Sequence, residues 1–182
     1  KTMKTIVLDN VLSQKELFFM YREIVSCAGW KINGLSSIEE DKNKFNSGPL
    51  LMIKSEEITQ HYPFSLWGQT LVYRIHNLLT DKNIGIPTSV SRMWFNVTYS
   101  GEKTQHWLHR DDEQNSATKS ILLFMTPIWQ PDWRGSFYVD GEEFKFKPGS
   151  AVIFDSQEYH KGETPASAKY SWQRLTCNIL VK

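Results

Sequence analysis

Read for its alternation of apolar and polar positions, the chain changes texture near residue 88. The first part carries helical spacing. "SQKELFFMYREIVSC" (13–27) repeats Leu17, Met20, Tyr21 and Ile24 at the three- and four-residue intervals of an amphipathic helix. Ser13 is a suitable N-cap, and Glu16 three residues on completes a capping box. "FSLWGQTLVYRIHNLLT" (64–80) predicts a second helix with Leu71, Ile75, Leu78 and Leu79 on one side. "TIVL" (5–8) reads as a short strand, and the polar, turn-rich 33–49 as a long loop. Beyond residue 88 the runs are short and of β type: 89–99, 119–126, 135–140, 142–147, 150–155 and 171–181, bounded by Gly, Pro, Asp and Asn. Asp140-Gly141 between two alternating runs is a hairpin signal. Spacings this short leave no room for crossover helices, so an antiparallel sheet is expected. The expected fold is α+β, mainly β: a sandwich or jelly roll with the N-terminal helices packed on one sheet. A single domain over 1–182 is expected, with 1–88 as helical support and 89–182 as the β core.

Composition narrows the classes. At 182 residues, 40% hydrophobic and 23% charged, the chain has an ordinary globular balance. A net charge of +1 makes no electrostatic case for nucleic acid or a membrane surface. No apolar run approaches the roughly 20 residues that span a bilayer. The stretch "KTMKTIVLDN" lacks the apolar core of a signal peptide. Cys27 and Cys177 indicate no disulfide framework, and a reducing, cytoplasmic compartment is expected. Ten Phe, seven Tyr and seven Trp suit a broad sheet core or an aromatic-lined pocket.

The densest chemistry lies in "HWLHRDDE" (106–113). On its own it reads equally as a charged, solvated turn or as part of a metal site, and its surroundings decide. On a strand, residues two apart share a face, so His109 and Asp111 aim at one point while Arg110 faces away. An imidazole and a carboxylate make two thirds of a facial metal site, and His160, after the apolar run "SAVIF", supplies the third ligand. Two histidines and one carboxylate leave open positions on an octahedral ion, the set associated with non-haem Fe(II) oxygenases. Arg174 opens the apolar run "RLTCNILV", where a buried cation is costly unless an anion pairs with it. Its fork suits a carboxylate. Thr176, on the same face, can add a hydroxyl, and Tyr99 a phenol.

These residues in this order resemble the Fe(II)/2-oxoglutarate-dependent dioxygenases, most closely the prolyl 4-hydroxylase branch. The resemblance rests on Tyr99 followed by "SGEKTQHWL", His109 and Asp111. It continues through "WQPDWRGSF" (129–137) and "PGSAVIFDSQEYH" (148–160) to Arg174 and Thr176, and covers about residues 89–181. It implies a double-stranded β-helix, a jelly roll. It implies that His109, Asp111 and His160 bind Fe(II), and that Arg174 binds the distal carboxylate of 2-oxoglutarate with help from Tyr99 and Thr176. O2 would be the co-oxidant and ascorbate a stimulant. Succinate and CO2 would form as the substrate is hydroxylated, and the carboxylate at Asp111 implies hydroxylation rather than halogenation.

The sequence departs from that pattern in three places. The interval from His160 to Arg174 is long and holds Lys169, the alternative anchor. Phe124 or Met125 stands where a second tyrosine is common. A double glycine before the fourth core strand appears only as "RGS" (134–136).

Other residues have plainer readings. His106 and Asp112 are expected as loop residues, Asp112 being the alternative carboxylate. His61 and His76 belong to the helical half. Trp129 and Trp133 are expected in packing. Arg92 and Arg110 are expected as exposed, salt-bridged arginines, with contact to an anionic substrate as the other reading. Residues 33–49 and 100–108 are the candidate covers. The partner implied is a peptide or protein hydroxylated on prolyl or other residues. A free amino acid or other small metabolite is the alternative, and a non-catalytic jelly-roll binding domain the alternative of another class.

Overall fold

The structure is a computed structural model and describes residues 3–26, 31–33, 50–53, 62–98, 108–112, 117–166 and 172–182. Its elements are β1 (Ile6–Leu8), α1 (Gln14–Val25), β2 (Lys31–Asn33), β3 (Leu50–Ile53), α2 (Tyr62–Thr80), β4 (Val90–Thr98), β5 (Lys119–Phe124), β6 (Phe137–Val139), β7 (Glu142–Phe144), β8 (Ala151–Asp155), β9 (His160–Gly162) and β10 (Arg174–Val181). A seven-stranded sheet runs β1-β8-β5-β10-β4-β3-β2, and a three-stranded sheet runs β7-β6-β9. All the strand pairs are antiparallel. Among the described residues no helix is long and apolar enough to cross a membrane.

Period-two alternation splits the large sheet into two chemically different faces. On β10, Leu175, Cys177, Ile179 and Val181 join Phe95, Val97, Ile121, Leu123 and Ile153 in one core, covered by Leu17, Met20 and Ile24 of α1 and Leu71, Ile75 and Leu79 of α2. Burying each such leucine or isoleucine stabilises the fold by about 1.5–3 kcal/mol. The opposite face carries Leu122, Phe124, Val152 and Phe154, which pack on Phe137, Val139 and Phe146 of the small sheet and its flank. This face turns polar along β10, where Arg174, Thr176 and Asn178 are all buried. Two of the candidate site residues, Arg174 and Thr176, project from that inner face.

Local chemistry sets the boundaries. Ser13 Oγ accepts from the Glu16 N–H, and the Glu16 carboxylate accepts from the Ser13 N–H at 2.7 Å, so the capping box starts α1 where the sequence places it. The β6–β7 hairpin pairs Val139 with Glu142 across Asp140 (φ 47°) and Gly141 (φ 84°), the left-handed pair that a two-residue turn requires.

Three strands were not anticipated. β2 and β3 extend the sheet beyond β4, and β9 pairs with β6. With β1 beside β8, the N-terminal part supplies strands as well as helices. The interior of the expected 33–49 loop, and with it Cys27, lies outside the described residues.

The cap also ties the helices together. Glu16 pairs with Arg74 of α2 at 2.8 Å, and the Arg74 guanidinium holds the Glu16 carboxyl down at about 2. A depressed carboxylate stabilises the fold above its unfolded pKa and loses that contribution as pH falls through the folded value. Glu16→Gln is therefore expected to remove a component of acid lability between about pH 4.5 and 2, read from denaturant melts of both proteins across that window, with little difference at the lowest pH. Parallel stability–pH curves would show that the pair contributes nothing.

Candidate metal centre

His109 and His160 face each other across an isolated antiparallel bridge. The His109 N–H donates to the His160 carbonyl at 3.0 Å, and the His160 N–H donates back at 2.9 Å. Directly opposed residues on antiparallel backbone project their side chains to the same face. The two rings accordingly lie with centroids 4.3 Å apart. His109 lies between β4 and β5 in sequence and His160 opens β9, so residues far apart in the chain meet through this bridge.

Asp111 reaches the same point by a different route from the one expected. His109 is a single bridge residue and Asp111 sits in a bend, so strand alternation does not carry the pair. Instead the Asp111 N–H donates to the Ser156 carbonyl at 3.0 Å, just beyond β8. Ser120 Oγ of β5 donates to Asp111 Oδ2 at 2.7 Å. That leaves Oδ1 facing the imidazoles, 3.4 Å from His160 Nε2 and 3.9 Å from His109 Nε2.

Each group is prepared for a cation. The carbonyl of Glu158 lies 3.0 Å from His160 Nδ1, which assigns the ring proton to Nδ1 and leaves Nε2 as a bare donor atom. Phe137 and Phe154 flank the ring, with centroids 5.5 Å apart, and fix its plane. Burial pushes the Asp111 carboxyl up, but the His160 imidazole, the His109 ring and the Ser120 hydroxyl outweigh it and hold the group below the usual carboxylate range. For His160, burial lowers the pKa and Asp111 more than reverses it.

One ligand atom from each residue lies within 4.8 Å of the others. Adjacent ligands on an octahedral ion with bonds of about 2.1 Å are about 3 Å apart. Two imidazole nitrogens and a carboxylate oxygen at these separations therefore fit one divalent ion and leave coordination positions open.

Arg174 begins β10 on the inner face, opposite Thr98 of β4, and is 2% exposed. Its Nε donates to the Gly135 carbonyl at 2.8 Å, while one terminal nitrogen is buried without a partner among the described residues. Burial draws the guanidinium down to about 10 and Glu163 opposes this, so it stays charged at neutral pH. The close approach explains Gly135 in "RGS". At φ 83° a Cβ there would meet Trp129 Cζ2 at 2.8 Å and Arg174 Cδ at 3.2 Å. The preceding Arg134 has φ 60°, a left-handed conformation natural to glycine, and is held by its ion pair with Glu163. Thr176 is buried two residues along on the same face, opposite Asn96 and Phe124. Phe124 packs in the inner aromatic core and Met125 in the outer one, so neither offers a hydroxyl here.

The remaining candidates separate clearly. Tyr99, His106, His61 and Lys169 lie outside the described residues, as do 100–107 of the second expected cover. Asp112 accepts from Thr118 Oγ1 at 3.0 Å and is not in the three-residue cluster. His76 stays on α2, and Trp129 packs on Phe146 and Trp133. Arg110 stacks on Tyr159, with its carbon Cζ 4.0 Å from the ring centroid. Neither Arg92 nor Arg110 forms a salt bridge with a described residue, contrary to expectation. Sequence reasoning missed Ser120 and Ser156, since a serine in or after an apolar strand carries no signal of what it binds.

No protein-family model matches this sequence, and no curated protein does. Solved structures do match its shape. A non-heme α-ketoglutarate-dependent carbocyclase from nogalamycin biosynthesis superposes with TM-score 0.67 at 13% identity, over 97% of this chain and 78% of that one. A prolyl-4-hydroxylase from Pseudomonas putida gives 0.63 at 15% identity, over 98% and 92%. The viral collagen prolyl hydroxylase of Paramecium Bursaria Chlorella virus-1, solved with 2-oxoglutarate, gives 0.60 at 12% identity, over 98% and 96%. The fold of this chain is thus the jelly roll of the 2-oxoglutarate/Fe(II) oxygenases, prolyl 4-hydroxylases among them.

Proposed function

We propose that the chain is an Fe(II)- and 2-oxoglutarate-dependent hydroxylase in which His109, Asp111 and His160 hold the metal and Arg174 holds the cosubstrate. The observation that carries this reading is the combination, between the two sheets, of a three-ligand centre and a buried guanidinium with an unsatisfied nitrogen. The bound Fe(II), with 2-oxoglutarate and O2, supplies the oxidation: the keto acid leaves as succinate and CO2, and one oxygen atom enters the substrate. Arg174 would receive the far carboxylate through its unsatisfied terminal nitrogen, and Thr176 would contribute a hydroxyl beside it. Tyr99 and Lys169 are further candidates for that carboxylate. The aromatic core behind the site, Phe124, Phe146 and Phe154 among others, excludes water and strengthens these polar contacts.

Prolyl or other residues of a peptide or protein are the substrates favoured by the similarity to prolyl hydroxylases. One such neighbour, from Trichoplax adhaerens, is solved with a peptide fragment of a hypoxia-inducible factor. The free, buried Cys177 suits a reducing compartment such as the cytoplasm. The test is succinate release from 2-oxoglutarate that requires added Fe(II) and rises with a substrate, with ascorbate present. No metal-dependent turnover and no cosubstrate binding would favour a non-catalytic binding domain.

Ser120 provides a quieter check. Ser120→Ala frees Asp111 Oδ2 and is expected to weaken Mn(II) binding about 10- to 100-fold, as loss of a ligand's supporting hydrogen bond does, measured by calorimetric titration. An unaltered affinity would show that the backbone bond from Asp111 to the Ser156 carbonyl suffices to aim the carboxylate.

A further inference from the structure

We propose that the primary substrate carries a carboxylate, and that Arg92 anchors it with Asn178 beside it. This rests on the oxygenase reading above and names the chemistry that the same site selects.

The register of the large sheet sets the positions. Arg92 of β4 lies opposite Leu180 of β10, and Leu180 lies opposite Ser120 of β5. Ser120 is the residue that holds Asp111. Arg92 therefore stands in the metal's own row of the sheet, two strand spacings or about 10 Å from Ser120. Arg174 lies six residues away along β10, at the other end of the inner face. The two guanidinium groups thus bracket the floor between them, and the one near the metal has no role in holding the cosubstrate's far carboxylate.

Three features mark Arg92 as placed rather than incidental. The pairing of β10 with β4 shifts register between Leu180 and Val181, so that Val181 faces Val90 and Ser91 is left as the extra residue next to Arg92. Bulges at such positions re-aim the adjoining side chain. The guanidinium carbon lies 4.5 Å from the ring centroid of Trp94, a buried indole on the same face that packs with Leu180. Stacking fixes the plane of the fork and leaves its N–H edge available. No described carboxylate pairs with Arg92.

Asn178 supplies the second donor. It lies opposite Trp94 and is 9% exposed, and its Nδ2 is buried with no hydrogen-bond partner among the described residues. A half-buried cation and an unsatisfied amide N–H on one face, flanking one indole, are both donors. They match an anion, and a flat carboxylate fits the stacked fork. A buried donor left unpaired penalises the neutral amide or ester of the same molecule, which is how such a site discriminates. The carboxylate can belong to a free α-amino acid or other small acid, or to a peptide.

The experiment measures succinate release, with Fe(II) and 2-oxoglutarate, over a panel of the L-α-amino acids, their α-amides, and proline-containing peptides with free or amidated C-termini. Acids are expected to stimulate turnover and the matched neutral forms not to; the amino-acid and peptide arms tell which source supplies the carboxylate. For an accepted acid, Arg92→Leu should raise the half-saturating concentration about 10- to 100-fold, and Arg92→Lys should recover part of the loss. Calorimetric titration of that acid into the metal-free chain should show the same weakening, without relying on turnover. Equal stimulation by acid and amide, an unchanged half-saturation in Arg92→Leu, or stimulation by no acid in the panel overturns the proposal. Binding of 2-oxoglutarate to the Mn(II)-loaded wild type is measured in parallel. If that binding is absent the oxygenase reading itself fails; if it is present, the outcome bears on Arg92 alone.

Discussion

His160→Ala is expected to abolish 2-oxoglutarate turnover while leaving a folded chain. Three contacts meet at that ring and only one of them is chemical. Nδ1 is committed to the Glu158 carbonyl, Phe137 and Phe154 hold the ring plane, and Nε2 faces the Asp111 carboxylate at 3.4 Å. Alanine removes the ligand atom and leaves a small cavity against aromatic rings, a stability cost of about 1–3 kcal/mol. The backbone bridge to His109 uses main-chain atoms and survives the change. Loss of Mn(II) binding in calorimetry and of succinate formation, with a cooperative thermal melt retained, is the expected set of results. Retained turnover would mean that the metal is held elsewhere.

Arg174→Met tests the other end of the site through two effects of opposite sign. The guanidinium is buried, its Nε bonds to the Gly135 carbonyl, and one terminal nitrogen is unsatisfied. A carboxylate hydrogen-bonded to such a cation gains about 1.5–3 kcal/mol, so affinity for 2-oxoglutarate should fall about 10- to 150-fold. With no anion present the same cation is a burden on the fold. Replacing it by an apolar side chain of similar length should then raise the melting temperature of the free chain, by an amount on the order of 1–4 kcal/mol in stability. Wild type should be stabilised by saturating 2-oxoglutarate with Mn(II), and the variant should not. An unchanged affinity would pass the anchoring role to Lys169. A lowered melting temperature without ligand would show that the bond to Gly135 outweighs the cost of the buried charge.

Much of the architecture was legible in the chain. The capping box at Ser13 and the Asp140-Gly141 hairpin are local devices, and local devices appear where their residues stand. The long alternating runs became β4, β5, β8 and β10 because one face of each packs in the core under the helices, and the other face of β5 and β8 packs on the small sheet. The strands that escaped notice are short. "KIN" and "HKG" are too brief to show a period, and each forms because a neighbouring strand offers unpaired backbone.

The candidate site divides in the same manner. His109, Asp111, His160 and Arg174 were recognisable by residue type and order, but strand alternation does not account for how His109 and Asp111 converge. Asp111 is aimed by the Ser156 carbonyl and the Ser120 hydroxyl, contributed by two other segments. Arg92 shows the reverse case: its sequence neighbours predicted an ordinary surface arginine, and only the sheet register sets it in the metal's row.

By itself, then, the sequence determined the two helices and the long strands, which of their faces are apolar, and which side chains are of a type to bind a metal and an anion. Those properties depend on residues a few positions apart. Tertiary structure alone decided that two histidines 51 residues apart exchange backbone hydrogen bonds, that a serine orients the carboxylate between them, and that a second arginine faces the same space. The physical reason is that pairing between distant strands sets these distances, and the free energy selecting one register is spread over the whole core rather than written in any one motif.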